Sequence, residues 1–262
     1  MVPKLQLPKP YKKQHDAICD PARIVVIEAS TKSGKTAGCL VWLLQRAWNE
    51  GGPMRAYWWV APVYSQAKNI AFARMKSMLK QADPNKRVWQ SHDSELWIEL
   101  ANGARIWFKG SDNPDSLYGE DVYAAVIDEA SRCREEAWIA LRSTLTATKG
   151  PIRIIGNVKG RRNRAYQLAR LAEGGEANMA YHKLTAYDAV HAGVLDQEEV
   201  ESAKRILPDH VFKELYLAEP TDDGANPFGI QAINQCVAPL SDQPPVVFGI
   251  DLAKSIDYTA VV

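Results

Sequence analysis

The 262-residue sequence predicts an α/β fold in which a mostly parallel, twisted sheet carries helices on both faces. The first observation is that short apolar, often β-branched runs alternate with longer segments of helical period along most of the chain. The second is that a parallel crossover needs a helix, so repeated β-α units imply a parallel sheet covered on both sides. The third is a hydrophobic content of 46%, which is enough to bury a substantial core.

The alternation can be followed element by element. The predicted strands are residues 24–27, 56–60, 122–127 and 152–155, and the predicted helices are residues 36–48, 65–80, 135–144 and 164–172. Two further apolar runs, residues 95–100 and 104–108, flank Asn102-Gly103. Because Asn-Gly is typical of a tight β-hairpin, we expect an added antiparallel hairpin inside the sheet or at its edge.

The composition changes after this series. Residues 193–223 carry nine acidic and three basic side chains and include two helical stretches, while residues 221–245 are rich in Asp, Asn, Gly and Pro, as linkers are. An apolar strand then begins at residue 246. We therefore predict a main α/β domain over residues 1–190, a small helical subdomain with a linker over 191–244, and the first strands of a truncated further domain over 245–262.

Charge and cysteine usage exclude several classes of protein. The 32 Lys and Arg against 31 Asp and Glu disfavour a protein that coats nucleic acid by bulk charge, although a local basic stripe stays possible. The four cysteines lie 20, 94 and 103 residues apart, which is not the spacing of a zinc site or a disulfide scaffold. No apolar run approaches the roughly 20 residues of a membrane span, so we expect an intracellular protein without a membrane partner.

A phosphate-binding pattern lies between the first predicted strand and helix. The motif G-x-x-x-x-G-K-[ST] is matched, with alanine for the first glycine, by Ala29, Ser30, Thr31, Lys32, Ser33, Gly34, Lys35 and Thr36. Backbone N–H groups of such a loop and the helix N-terminus can ring a triphosphate. Lys35 would reach the β- and γ-phosphates and Thr36 would give its hydroxyl to Mg²⁺. Lys32 either contacts nucleotide or is solvated, and the alternative for the whole segment is an ordinary glycine-containing turn.

Two carboxylates follow the strand at 122–127. Asp128 would hold Mg²⁺ through its waters, and Glu129 would orient and deprotonate the attacking water. The alternative is that both residues merely cap the next helix. Beside the phosphate loop, however, the pair predicts a Mg-ATP hydrolase, a P-loop NTPase of the ASCE type, in which the protein carries its own catalytic glutamate.

Several segments, in chain order, resemble the large terminase subunit of tailed bacteriophages, the motor that packages viral DNA. The segments that carry the resemblance are residues 11–14, 61–68, 110–119, 154–160 and 249–260, together with the two motifs above. The resemblance implies that Tyr11 and Gln14 recognise adenine, since a Gln amide can pair with the adenine edge. It also implies that Asn157 belongs to the motif that couples hydrolysis to movement.

The resemblance further implies a function and partners. The motor would use ATP and Mg²⁺ to translocate double-stranded viral DNA into a procapsid in the host cytoplasm. It would be a monomer in isolation and a homo-oligomeric ring when assembled on the portal, aided by a small terminase subunit. Asp251 would be the first metal ligand of a ribonuclease H-like nuclease. The other ligands of such a site lie far downstream, so we expect this chain not to cleave DNA.

Two positions depart from the family pattern. Many members have arginine where Thr31 stands, and some use an arginine where Tyr118 stands as a finger across a subunit boundary. A basic stretch could hold the finger, contact DNA, or be a solvated face; its members are Lys149, Arg153, Lys159, Arg161, Arg162, Arg164 and Arg170. Two other functions are compatible with the motifs: a helicase-like or repair ATPase acting on single strands, and a nucleotide-binding switch with vestigial hydrolysis.

Overall fold

The computed structural model describes residues 7–221, residue 235, and two short strands at 250–251 and 260–261. The chain divides into two units, Met1–Gly224 and Ala225–Val262. In the second unit, Ile250–Asp251 pairs antiparallel with Ala260–Val261. The side chain of Asp251 and most of the predicted linker lie outside the described residues.

The first unit is built on one eight-stranded sheet. Its strands are β1 (Ile24–Ala29), β2 (Ala56–Ala61), β3 (Trp89–His92), β4 (Trp97–Leu100), β5 (Arg105–Gly110), β6 (Val122–Ile127), β7 (Ile152–Gly156) and β8 (Met179–Leu184). Their order is β3-β4-β5-β2-β6-β7-β1-β8. Strands β5, β2, β6, β7, β1 and β8 are parallel, and β4 runs antiparallel to both β3 and β5. The predicted hairpin is therefore β4 and β5, and it extends one end of a parallel sheet.

Helices cover the connections between the strands. They are α1 (Lys12–Ile18), α2 (Lys35–Glu50), α3 (Tyr64–Gln66), α4 (Ala73–Ala82), α5 (Glu135–Thr144), α6 (Arg164–Glu173), α7 (Ala186–His191), α8 (Gln197–Ile206) and α9 (Asp209–Leu217). The segment predicted as one helix at 65–80 is interrupted by a π-helical stretch, Ala67–Phe72, between α3 and α4. π-Helical turns are rare and are frequently found at functional sites.

Two apolar clusters lie on opposite faces of the sheet. One contains Trp59 and Leu43, and the other contains Trp58 and Leu141. Trp58 and Trp59 are neighbours on β2, and successive side chains of a strand point to opposite faces, so each tryptophan anchors a different layer. This arrangement confirms the prediction of a mostly parallel sheet with helices on both sides.

Helices α7, α8 and α9 form a small cluster of their own around Ala186, Val200 and Phe212. The first of these helices begins at Ala186, before the boundary predicted at residue 190. Among the described residues, no helix is both long enough and apolar enough to pass through a lipid bilayer.

Candidate nucleotide-binding site

The phosphate loop lies between β1 and α2, at the carboxyl end of a central strand. Ala29 ends β1, Ser30 donates its N–H to Leu184 O at 2.7 Å, and Ser33 Oγ donates to Ser30 O at 2.8 Å. Gly34 has φ +83°, and a Cβ there would lie 2.8 Å from Gln14 Nε2. Both the positive φ and the close approach therefore require glycine at this position of the motif.

The acid pair follows β6, the neighbour of β7 in the sheet. Asp128 donates its N–H to Val60 O at 2.8 Å and accepts the Glu129 N–H on Oδ1 at 3.0 Å. Glu129 has φ +48°, which turns the chain sharply out of the strand. A Cβ on Gly156 would lie 2.9 Å from Ala130 N, so the absence of a side chain at the end of β7 leaves room for this turn.

The two motifs meet at Lys35. Its Nζ lies 2.6 Å from Asn157 Oδ1, 3.5 Å from Glu129 Oε1 and 3.4 Å from Ser30 O. The sheet order β6-β7-β1 explains the contact, because the loops that leave three adjacent parallel strands open at the same edge. The structure thus brings together Lys35, the acid pair and Asn157, which are up to 122 residues apart in the sequence.

The electrostatics of the site are dominated by buried negative charge. Burial raises the pKa of Asp128 to about 7, and repulsion from Glu129 adds to the shift, while Lys35 partly opposes it. A weaker opposing effect on the same pKa comes from Arg74, near the start of α4. A buried carboxylate with too little compensating charge is a suitable partner for a hard cation such as Mg²⁺, which prefers oxygen ligands. The residues present therefore fit that ion, with Thr36, in the first turn of α2, as the second oxygen donor.

A cleft of about 310 Å³ opens beside these groups, within the range of small-molecule sites. Among its lining residues are Gln66, Asp128, Glu129, Arg132 and Asn157. Two buried amide atoms in it, Gln66 Oε1 and Asn157 Nδ2, have no hydrogen-bond partner. Buried polar atoms are normally satisfied, so an acceptor and a donor of this kind suit a polar ligand or the water that attacks it.

Tyr11 and Gln14 lie against the phosphate loop. Tyr11 OH donates to Ser33 O at 3.0 Å, and Gln14 Nε2 donates to Gly34 O at 2.7 Å. Gln14 Oε1 accepts the Tyr11 N–H at 3.3 Å. Both ends of the Gln14 amide are thus engaged inside the protein, and adenine recognition by this amide would require it to exchange these partners.

Helix α9 reaches the same loop. Thr31 donates its N–H to Leu215 O at 2.6 Å, and Leu215 also lines the cleft. Glu214 Oε1 accepts the Gly160 N–H at 2.8 Å, just beyond Asn157. The C-terminal turn of α9 is therefore tied both to the phosphate loop and to the loop that carries Asn157.

The basic stretch at 149–170 is not one surface patch. Arg153 lies on β7, is 3% exposed, and donates to Ile18 O and Asp20 O, both at 2.6 Å. Arg170 pairs with Glu28 at 2.7 Å, and Arg164 lies 3.7 Å from Glu135. None of the three alternatives for the basic stretch, a finger, a DNA contact or a solvated face, applies to Arg153, because its buried guanidinium joins β7 to the end of α1 and the segment after it.

Gln66, Arg132 and Leu215 are among the cleft residues that the sequence did not assign to the site. Gln66 lies in one of the segments that carry the family resemblance, and Arg132 follows Glu129 by three positions. Both could therefore have been predicted at the site from their nearness to known motifs. Leu215 contributes a backbone carbonyl from another part of the chain, and no local pattern indicates that contact.

Comparisons with known proteins identify relatives of this chain. The family model of the phage terminase large subunit matches residues 22–214. The ATPase domain of the large terminase of Thermus phage P74-26 is similar in structure, with a TM-score of 0.69 and 21% identity over 81% of this chain and 94% of that one. The large terminase of bacteriophage HK97 gives a TM-score of 0.67 and 16% identity over 84% of this chain and 52% of that one.

A third similar structure holds a nucleotide. The large terminase of a thermophilic bacteriophage, in complex with ADP, gives a TM-score of 0.66 and 16% identity, over 79% of this chain and 52% of that one. This chain therefore spans about half the length of the HK97 protein and of the ADP-bound protein. No curated protein matches the sequence. Because the family model covers most of the chain, from the start of the sheet to α9, the chain belongs to the phage terminase large subunit family.

Proposed function

We propose that this chain is the ATP-hydrolysing motor part of a phage large terminase and couples Mg-ATP hydrolysis to the movement of double-stranded DNA. The observation that carries the proposal is the convergence of Lys35 on Asn157 and Glu129 across the sheet edge. A structural turn or a helix cap does not need a buried ammonium group facing a carboxylate and an amide.

Each residue then has a role set by its position. Lys35 and the loop N–H groups bind the β- and γ-phosphates, and Glu129 accepts the proton of the attacking water. Asn157, already bonded to Lys35 through Oδ1, has a free Nδ2 donor for a phosphate oxygen. Thr36 and Asp128 are the residues that would hold Mg²⁺, which neutralises phosphate charge when bound. Tyr11 and Gln14 lie at the side of the loop where they would take the adenine.

Membership of the family supports a proposal for the remaining partners. We propose a homo-oligomeric ring on the portal of a procapsid, served by a small terminase subunit, in the host cytoplasm. We also retain, as a proposal, the division at residues 190 and 244, with Asp251 as a ligand of a nuclease metal site. A motor that must move any sequence would grip the duplex through its phosphates rather than through base edges.

The decisive experiment compares nucleic acids as activators of hydrolysis. Steady-state Mg-ATP hydrolysis by this chain is expected to rise on addition of duplex DNA, and the rise should disappear as salt is increased, because phosphate contacts release counterions. Single-stranded DNA of the same length and charge should stimulate less. Stronger stimulation by the single strand would favour the helicase-like alternative, and nucleotide binding with no turnover would favour the switch.

Coupling between nucleotide and α9 has a specific candidate contact. Leu215 O lies in the last turn of α9, where carbonyls have no intrahelical partner and the helix dipole is negative. It accepts the Thr31 N–H at 2.6 Å, a group that a phosphate would use in this loop motif. ATP therefore competes with the end of α9 for this donor, and binding would release the helix from the loop.

Glu214→Ala is expected to tighten ATP binding. Glu214 holds α9 to Gly160 and to Thr221. Without it, the end of α9 is held less firmly, and Leu215 O competes less well with a phosphate oxygen for the Thr31 N–H. The hydrogen bond from the Thr31 N–H to the phosphate would then add about 0.5–1.5 kcal/mol to ATP binding. Calorimetry with a slowly hydrolysed ATP analogue should show Kd about 2- to 12-fold lower than for the wild type.

The matched control for that substitution is Glu219→Ala. Glu219 lies just beyond the same helix and pairs with Lys183 at 3.4 Å, away from the loop after β7. The Kd of the Glu219→Ala variant for the ATP analogue should stay at the wild-type value. Unchanged or weaker binding by the Glu214 variant would contradict the competition.

A further inference from the structure

Arg132 is a positively charged residue in the nucleotide cleft that has no role in the proposed function. It ends a single 3₁₀ turn, Ala130–Arg132, directly after Glu129, and its side chain is exposed. It lines the cleft together with Thr31, Asp128 and Asn157. Within the described part of the chain, its guanidinium makes no hydrogen bond or ion pair, in contrast to the arginines at 153, 164 and 170.

The backbone fixes this turn against the reacting groups. Arg132 donates its N–H to Glu129 O at 2.9 Å, and Ser131 Oγ donates to Asn157 O at 2.8 Å. The base of the turn is therefore held to the proposed general base on one side and to the residue bonded to Lys35 on the other. The long arginine side chain is the part that stays free to meet a ligand.

The charges at the site indicate that bound ATP needs a further cation besides Lys35. Lys35 already faces Glu129, and Asp128 is buried next to Glu129 in the chain, so ATP bound with one Mg²⁺ would still bring net negative charge to a site with one buried ammonium group. Arg74 acts on Asp128 from α4 but is not among the residues that line the cleft.

We propose that Arg132 is a catalytic residue that acts in cis, on the ATP bound to its own subunit. Its guanidinium contacts γ-phosphate oxygens while a bond forms between the water oxygen and the γ-phosphorus and the bond to the β,γ-bridging oxygen breaks. The bridging oxygen leaves with its electron pair on ADP, and the proton of the water passes to Glu129. The arginine stabilises the charge on the transferring group, the contribution that an arginine finger makes in other P-loop NTPases. This proposal rests on the proposed function.

The first test is Arg132→Ala, with Arg132→Lys as the conservative variant. kcat for Mg-ATP hydrolysis should fall about 10³-fold in the alanine variant, since an arginine finger is worth that or more. The lysine variant should recover only part of the loss, because an ammonium group lacks the planar fork. Arg134→Ala, two positions on at the start of α5, should keep the wild-type rate. Unchanged thermal unfolding and ATP-analogue binding would show that the alanine variant is folded.

The second test separates action in cis from action across a subunit boundary. Arg132→Ala and Glu129→Gln chains are mixed at a concentration where the wild-type rate per chain no longer rises. In cis, neither chain has a complete site, and the mixture should show only the sum of the two residual rates. Recovery of activity would mean that one chain supplies the arginine to the other, and would overturn the proposal.

The outcomes also distinguish this inference from the function on which it rests. If the wild-type chain hydrolyses ATP and the Arg132→Ala variant has the same rate, the role of Arg132 is wrong and the proposed ATPase function still stands. A wild-type chain that binds ATP without turnover, with or without duplex DNA, defeats both.

Discussion

Glu129→Gln is expected to lower kcat for Mg-ATP hydrolysis by about 10³-fold while leaving the affinity for ATP nearly unchanged. The amide keeps the shape of the side chain and an oxygen that can face Lys35, which lies 3.5 Å from Glu129 Oε1. What it loses is the ability to take a proton from water. Single-turnover hydrolysis measures the rate, and calorimetry with an ATP analogue measures the affinity.

A glutamate outside the cleft provides the control for this substitution. Glu120 precedes β6 at the opposite end of the strand and lies 3.9 Å from Lys109, so Glu120→Gln should hydrolyse ATP at the wild-type rate. If Glu129→Gln retained a tenth or more of the activity, another group would have to be the general base. A large loss of affinity would instead mean that Glu129 acts mainly on binding.

The central strands of the sheet were predictable because their sequences are apolar on both sides. Strands β1, β2, β6 and β7 are covered by helices on each face, and their sequences are therefore mainly hydrophobic, with Arg153 as the exception in β7. Strand β8 was not predicted, since it is half-exposed at the sheet edge and contains His182 and Lys183. Strand β3 was missed for a similar reason: only Trp89 of its four residues is buried. Both strands exist because a neighbouring strand offers them a hydrogen-bonding edge.

In the candidate site, the short motifs could be predicted from the sequence, and the contacts between distant residues could not. The phosphate loop and the acid pair were recognisable because each is a short motif with a fixed spacing. Their contact through Lys35 was an inference from the order of motifs, and the geometry brings the groups together. The Leu215 carbonyl could not be found in this way, because any residue in the last turn of a helix has the same backbone.

Arg153 illustrates an error that local sequence could have prevented. It was grouped with other basic residues by charge, yet it lies between Ile152 and Ile154 in a predicted strand at the centre of the sheet. A side chain there must be buried, and a buried guanidinium needs several acceptors. The end of α1 and the segment after it supply them as backbone carbonyls, at Ile18, Asp20 and Ala22.

Lys35→Ala is the second substitution with a very large expected effect. At an effective dielectric of about 20, a unit charge 4 Å away contributes about 4 kcal/mol, which corresponds to about 10³ in affinity for the phosphate tail. Hydrolysis should be undetectable in a coupled assay, and Lys35→Arg should not restore it, because a planar, delocalised guanidinium group does not reproduce the compact charge of the ammonium group. Lys80→Ala, in the last turn of α4, is the control.

The same substitution should change how stability depends on pH in the nucleotide-free chain. The pKa of Asp128, about 7, is above its usual value, so Asp128 binds its proton more tightly in the folded state. Its contribution to the free energy of unfolding is therefore largest at low pH and is lost as pH rises from about 4 to about 7. Lys35 limits that loss by attracting the carboxylate.

Removal of Lys35 should raise the pKa of Asp128 further, and Lys35→Ala should destabilise the fold more at pH 8 than at pH 5. Urea unfolding at the two pH values, with wild type and Lys35→Ala side by side, measures the difference. At pH 5 Asp128 is already protonated, so the alanine variant loses only the contacts of the ammonium group with Asn157, Ser30 and Glu129. At pH 8 it must also keep an uncompensated carboxylate buried. Equal destabilisation at both pH values would show that the lysine and the aspartate are not electrostatically coupled.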